Sequence, residues 1–281
     1  MSRTGIESAL DLLSNETRFD ILRALASQQF EEPGASGMTF SDLFAEAATD
    51  DSGNFNYHLN RLLDRLVVKE GECYRLTHGG IQLFSLLQAT TYAPEHEHRT
   101  IQLDRNCPLC PADLSATYRE GYLEIGCGDH LVLEIYVPPS WIESRSTDAF
   151  LDCVSLLFHH HIEKIAASIC PLCWGALGHG LRTDEQPYPL QYYYPCSQCG
   201  TELRLVPPQT VMHHREVEAF YRDRGIELRE TPPWKLYDTY GEMRVLPGAD
   251  ARVEFELSVK GDTTVMTVDG RSNLLAFEPE G

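Results

Sequence analysis

The chain has 281 residues, 42% of them hydrophobic, with 42 acidic against 23 basic side chains and a net charge of -19. That length exceeds one compact domain, and that charge argues against a protein that coats nucleic acid over its whole surface. Only four of the basic residues are lysines (Lys69, Lys164, Lys235 and Lys260), which reads as adaptation to very high salt, so the net charge reports the solvent more than the partner.

The opening MSRTGIESALDLL lacks a secretory apolar core, and no apolar run approaches about 18 residues, so a cytoplasmic chain with no membrane segment is expected. Residues 6–26 read as two helices broken at Ser14-Asn15, with Ile6, Leu10 and Leu13 on one face of the first. Asn15 is placed to cap the second, which carries Phe19, Ile21, Leu22 and Leu25. After the loop EEPGASG, Thr39 caps a short helix with Phe40, Leu43, Phe44 and Ala47 on its apolar face. The turn TDDSGN precedes a helix holding Phe55, Leu59, Leu62, Leu63 and Leu66. VVKEGECYRLT then supplies two β-prone runs around Glu70-Gly71, a hairpin, and Ile81, Phe84 and Leu87 mark a last helix.

Helix, helix, short helix, turn, helix, hairpin, helix is the order of a winged helix-turn-helix. LLSNETRFDILRALA and NFNYHLNRLLDRLVVKEGECYRLT resemble the ArsR-type winged-helix transcription regulators, particularly those of halophilic archaea, over roughly residues 5–90. The resemblance implies that the helix starting near Ser52 enters a DNA major groove. Its outward positions are Asn54, Asn56, Tyr57, Asn60 and Arg61, residue types that bond base edges or phosphates, with Arg65, Lys69 and Arg75 behind them. Residues 52–75 carry four basic side chains against three acids, a local exception in an acidic chain. A solvated helix face is the bland reading of the same pattern. His58, mid-helix beside Leu59, reads as a packing residue, and the single Cys73 as a small apolar side chain. Family metal sensing uses ligands on the helix before the recognition helix or on the last helix; TFSDLFAEAATD and THGGIQLFSLLQATTY supply no such set. Apolar faces on the first and last helices predict a homodimer through Ile6, Leu10, Ile81, Phe84 and Leu87, unless those faces pack on the rest of the chain.

Seven of the nine cysteines fall in paired motifs, and Cys73 and Cys153 stand alone. Sixteen residues separate Cys107 and Cys110 from Cys127 and His130, and 22 separate Cys170 and Cys173 from Cys196 and Cys199. Each CxxC can form a knuckle that presents two thiolates on one side, and two knuckles joined by a hairpin close a tetrahedron around Zn2+. In the reducing cytoplasm this favours metal over disulfides. The two units are a duplication: both open CPLC, and Cys127 precedes Pro138-Pro139 as Cys196 precedes Pro207-Pro208. Each then enters a helix, one with Phe150, Val154, Leu157, Phe158 and Ile162, the other with Val211, Val217, Phe220 and Tyr221. Both sites read as structural, since a full set of protein ligands leaves no open position for catalysis, with a thiol redox switch as the alternative at the first.

His159–His161 and His213-His214 read as solvated helix faces, because consecutive helical residues point about 100° apart. His96 and His98 read as linker residues. Beyond Pro232, alternation across Val253, Phe255, Leu257 and Val259 with turns at KGD and DGRSN predicts an antiparallel β-meander; Trp234, Tyr237 and Tyr240 read as its core, with the lining of a groove as the alternative.

The expected architecture is α+β: a winged helix-turn-helix over 1–95, a zinc-ribbon repeat with helix over 96–168, and a second repeat with helix and meander over 169–281. The expected function is a DNA-binding transcriptional regulator acting on double-stranded DNA, whose structural zinc ribbons support a small-molecule effector or protein partner. The alternative is a zinc-ribbon adaptor of the transcription or translation machinery. No nucleophile–base pair suggests an enzyme.

Overall fold

A computed structural model of the chain describes residues 12–32, 34, 37–47, 49–89, 98–183, 190–247 and 251–279. It divides into two compact units, Met1–Pro94 and Glu95–Gly281.

In the first unit the helix break falls at Ser14-Asn15, as expected, and the Asn15 side chain accepts the Arg18 N–H at 3.1 Å to start α1 (Glu16–Glu31). Thr39 ends strand β1 (Met38–Thr39) and caps α2 (Phe40–Glu46) by accepting the Asp42 N–H. Asp51 caps α3 (Ser52–Leu62), its Oδ1 taking the N–H groups of Gly53 and Asn54 at 2.9 and 3.0 Å. β2 (Val67–Glu70) and β3 (Cys73–Leu76) form the predicted hairpin, and Gly71 turns it at φ +61°. β1 adds to β3, giving a three-stranded antiparallel sheet in the order β1-β3-β2. This approach needs a glycine at residue 37: φ is +98°, and a Cβ there would lie 2.3 Å from the Tyr74 carbonyl oxygen. α4 (His78–Ala89) follows. Ile21, Leu22, Leu43, Phe55, Leu59 and Leu62 are buried together, with Ile81 and Phe84 half-buried against them. The Phe84 and Phe19 rings lie 6.2 Å apart. Of the expected dimer contacts, Ile6, Leu10 and the Leu87 side chain lie outside the described residues.

The second unit opens with a four-stranded antiparallel sheet: β4 (Arg99–Asn106), β5 (Asp113–Arg119), β6 (Tyr122–Gly126) and β7 (Leu131–Tyr136). α5 (Pro139–Glu143) and α6 (Thr147–Ala166) follow. β8 (Gly180–Thr183), β9 (Leu190–Pro195) and β10 (Glu202–Leu205) then form a second antiparallel sheet, followed by α7 (Pro207–Thr210) and α8 (Arg215–Arg222). The predicted duplication is visible element by element. β5, β6 and β7 correspond to β8, β9 and β10; each Pro-Pro opens a short helix; α6 and α8 close the units. Even the knuckles match: Asn106 pairs Asp113 as Ile169 pairs Ala176, and the Cys107 N–H donates to Ala112 O at 2.7 Å as the Cys170 N–H donates to Gly175 O at 2.8 Å.

Three 3-10 turns, Leu228–Glu230, Pro233–Lys235 and Tyr237–Thr239, lead into the meander β11 (Tyr240–Leu246), β12 (Arg252–Val259), β13 (Asp262–Asp269) and β14 (Leu274–Pro279), paired in that order. Lys260 and Gly261, both at positive φ (54° and 95°), make the two-residue turn read from KGD. Trp234 and Tyr237 are buried and Tyr240 is half-buried, so the core reading of these aromatics holds for the first two and in part for the third.

The expected second boundary, between 168 and 169, runs through a shared core. Buried residues of both repeats and of the meander, among them Tyr118, Phe150, Tyr192, Phe220 and Phe255, form one cluster. Tyr237 shows why: its hydroxyl donates to Val132 O at 2.7 Å and accepts from Gln209 Nε2 at 2.9 Å, tying together three segments.

Candidate metal centres and a candidate nucleic-acid interface

The first cysteine cluster lies at one end of the β4–β7 sheet. Cys107 and Cys110 occupy the β4–β5 turn; Cys127 and His130 occupy the β6–β7 turn, where Gly128 adopts φ +94°. The Cys127 N–H donates to His130 O at 3.2 Å, folding that turn on itself. In the second cluster, Cys170 and Cys173 follow α6, and Cys196 and Cys199 lie in the β9–β10 turn beside Gly200 at φ +77°. Backbone N–H groups point at the sulfurs: Leu109 to Cys107 Sγ at 3.5 Å, Gln198 and Cys199 to Cys196 Sγ at 3.4 and 3.5 Å.

Within each cluster the four ligand atoms all lie within 4.8 Å of one another. Cys107 Sγ and Cys127 Sγ are each 3.6 Å from His130 Nδ1, and Cys110 Sγ is 3.7 Å from Cys127 Sγ. In the second cluster Cys170–Cys199 is 3.8 Å and Cys173–Cys196 is 3.4 Å. A disulfide requires about 2.0 Å between sulfurs. A tetrahedral ion at about 2.3 Å from sulfur and about 2.0 Å from nitrogen requires edges of about 3.8 Å (S–S) and about 3.5 Å (S–N). The observed edges fit a metal and not a disulfide. Both clusters can hold a metal ion, and four protein donors would fill a tetrahedral one.

The surroundings of these thiols set their protonation unevenly. The Thr201 hydroxyl and N–H draw Cys199 down to about 6. Although the Gly175 N–H lowers it, Cys173 is pushed up to about 12 by burial and by the three neighbouring thiols. In the first cluster burial raises Cys107, whereas at Cys127 burial is outweighed by the N–H groups of His130 and Asp129 together with the side chains of Cys107 and His130, which bring the thiol to about 7. Thiols crowded this closely share protons between them; a divalent cation replaces those protons.

All eight residues expected at a DNA interface are exposed: Asn54, Asn56, Tyr57, Asn60 and Arg61 on α3, Arg65 just beyond it, and Lys69 and Arg75 on the hairpin. The opposite face of α3 buries Phe55, His58, Leu59 and Leu62. Arg61 donates to the Tyr57 hydroxyl at 3.2 Å, Lys69 lies over the Tyr74 ring at 5.3 Å, and Arg75 is ion-paired with Glu70. His58 is a packing residue, as expected, but one with a polar partner. Its Nδ1 lies 3.2 Å from Arg18 Nη1 and must accept, since a guanidinium only donates. Burial, Arg18 and Arg61 hold His58 below the ordinary histidine range.

The histidine runs need correction. His160 and His214 are exposed, as read from sequence, and so is His98, while His96 lies outside the described residues. His159 is 2% exposed, and its Nδ1 lies 3.2 Å from Nε2 of half-buried His213. Half-buried His161 is pushed down to about 4 by burial, with Lys164 and His160 adding to it. The signal was in the stripe: His159 stands four residues after buried Ser155 and three before Ile162, on the inward face of α6.

Among the described residues no helix is long and apolar enough to cross a membrane. Residues 104–274 match the family model described as Domain of unknown function (DUF7351), and residues 6–87 match Domain of unknown function (DUF7347). No curated protein and no solved structure matches the chain.

Proposed function

We propose that this chain, which belongs to the family Domain of unknown function (DUF7351), is a DNA-binding transcriptional regulator of the ArsR-like winged-helix kind, carrying two structural zinc sites. The observation that carries the reading is α3: one face is buried, and the other presents Asn54, Asn56, Tyr57, Asn60 and Arg61 to solvent. On this reading α2 and α3 form the helix-turn-helix and the β2–β3 hairpin is the wing. Asn56 and Asn60 read base edges in the major groove, Arg61 and Arg65 bond bases or phosphates, and Lys69 and Arg75 reach the backbone from the wing. The acidic remainder of the surface, suited to high salt, leaves affinity to these local contacts.

Zinc is the metal we assign, because three or four thiolates with at most one imidazole in a tetrahedron suit it best. Cys107, Cys110, Cys127 and His130 hold one ion; Cys170, Cys173, Cys196 and Cys199 hold the other. When bound, each ion supplies folding energy, not Lewis-acid chemistry, since no ligand position is left open. We read the chain as non-enzymatic, cytoplasmic and a homodimer, with the C-terminal unit receiving an effector or a protein.

One observation favours the adaptor reading instead. Leu109 and Leu172, at the same place in the two knuckles, are exposed, and Trp174 beside the second is 58% exposed at φ +59°. Selection of binding sites from random duplexes separates the two readings. A regulator enriches a defined motif, and Asn56→Ala with Arg61→Ala abolishes that enrichment. An adaptor enriches none.

A further inference from the structure

α6 and α8 are joined by a chain of three polar contacts. His159 Nε2 lies 3.1 Å from the Thr231 carbonyl oxygen. His159 Nδ1 lies 3.2 Å from His213 Nε2, and His213 Nδ1 lies 3.3 Å from Glu218 Oε1. Both ends of the chain are acceptors, a backbone carbonyl and a carboxylate oxygen that also accepts from Arg229 Nε at 3.1 Å.

Proton counting constrains what these rings can do. Three contacts need three protons, and two neutral imidazoles carry two. With both rings neutral, one contact is left between facing lone pairs. With one added proton every contact has its hydrogen. With two added protons the central contact sets N–H against N–H. The pair is therefore built for one extra proton and not for two.

The charges around it fit that count. Glu163 faces the pair from α6, Glu218 from α8 and Arg229 from the Leu228–Glu230 turn, and Arg229 is ion-paired with both carboxylates. On α6 the exposed His160 acts on Glu163. Two carboxylates against one guanidinium leave one negative charge, which a single proton on the histidines balances.

We propose that His159 and His213 form a one-proton pair: the two rings take up a single proton between them, which completes the hydrogen-bond chain from Thr231 to Glu218, and they refuse a second. Burial holds both rings below the ordinary histidine range, so the pair is neutral at neutral pH, and the proton it takes up as pH falls weakens the packing of α8 and the Thr231 segment on α6. The two rings titrate as one unit, because adding the first proton removes the acceptor that a second would need. Neither histidine belongs to the cysteine clusters, and the proposal does not depend on the DNA-binding reading.

The test uses full-length, metal-loaded protein with 15N-labelled histidine rings. His159 and His213 are assigned by loss of their signals in His159→Gln and His213→Gln, and fold and metal content are monitored at each pH. The expected result is one shared inflection, worth one proton between the two rings. Glu218→Gln lowers it by about one pH unit or more, a tenfold loss of proton affinity. Below the inflection the amides of Arg215–Arg222 exchange faster relative to their intrinsic rates. Two separate inflections worth one proton each, or no inflection before acid unfolding, would overturn the proposal, as would an inflection unmoved in Glu218→Gln. If that variant does not fold, the wild-type proton count decides alone.

Discussion

Replacing Cys170 with serine tests the metal account at its most buried ligand. Cys170 is fully buried, holds its turn through an N–H bond to Gly175 O, and places Sγ 3.8 Å from Cys199 Sγ. It thereby ties the end of α6 to the β9–β10 turn. A structural zinc site contributes about 10–16 kcal/mol at neutral pH, as much as the about 5–15 kcal/mol that holds a whole domain together. Serine cannot supply a thiolate, so the second site should empty. A loss of even about 5 kcal/mol, at roughly 2–4 °C per kcal/mol for a unit of this size, lowers the melting temperature by about 10–20 °C. Metal analysis of the purified chain should give about two zinc ions for the wild type and about one for Cys170→Ser. Cys153→Ser, at a half-buried cysteine outside both clusters, should keep two ions and melt within about a degree of the wild type. A Cys170→Ser chain that kept both ions and its native melting temperature would refute the assignment. So would wild-type protein that carried no transition metal and stayed fully folded.

Other expectations follow from single contacts. Because the folded state holds His58 below its ordinary value, the unfolded chain binds that proton first. The contribution is full above about pH 6.5 and is lost as pH falls below it toward the folded value; melting curves from about pH 7 to about pH 5 should show a shallower loss for His58→Gln than for the wild type. Asp51→Ala removes the acceptor of two α3 N–H groups and should cost about 1 kcal/mol, read as faster amide exchange at the start of that helix; unchanged exchange would deny the cap its role. Tyr237→Phe leaves Val132 O and Gln209 Nε2 without their buried partner and should cost about 1–3 kcal/mol in chemical denaturation, whereas a neutral result would show that the three segments are not coupled through that hydroxyl.

What could be read from the sequence was what is encoded locally. CxxC and CxxH turns close over four residues, so spacing alone brought Cys107, Cys110, Cys127 and His130 together, and the same holds for the second set. The caps at Asn15 and Thr39 and the turn at Lys260-Gly261 are likewise local. The shared core was not readable, because the contact between Val132 and Tyr237 spans 105 positions and no composition change marks where one repeat meets the next. The His159–His213 contact spans 54 positions; a triple histidine looks polar until the buried neighbours Ser155 and Ile162 are placed beside it. Strong local periodicity gave the helices, while partners far apart in the chain decided which of their polar residues turn inward.

The central claim is that α3 reads duplex DNA, and a chromatin-binding map in the native host tests it most directly. The account predicts sharp peaks over a common inverted-repeat motif for the wild-type chain, lost when Asn56 and Arg61 are both replaced by alanine. Diffuse enrichment, or peaks unchanged by those substitutions, would contradict it.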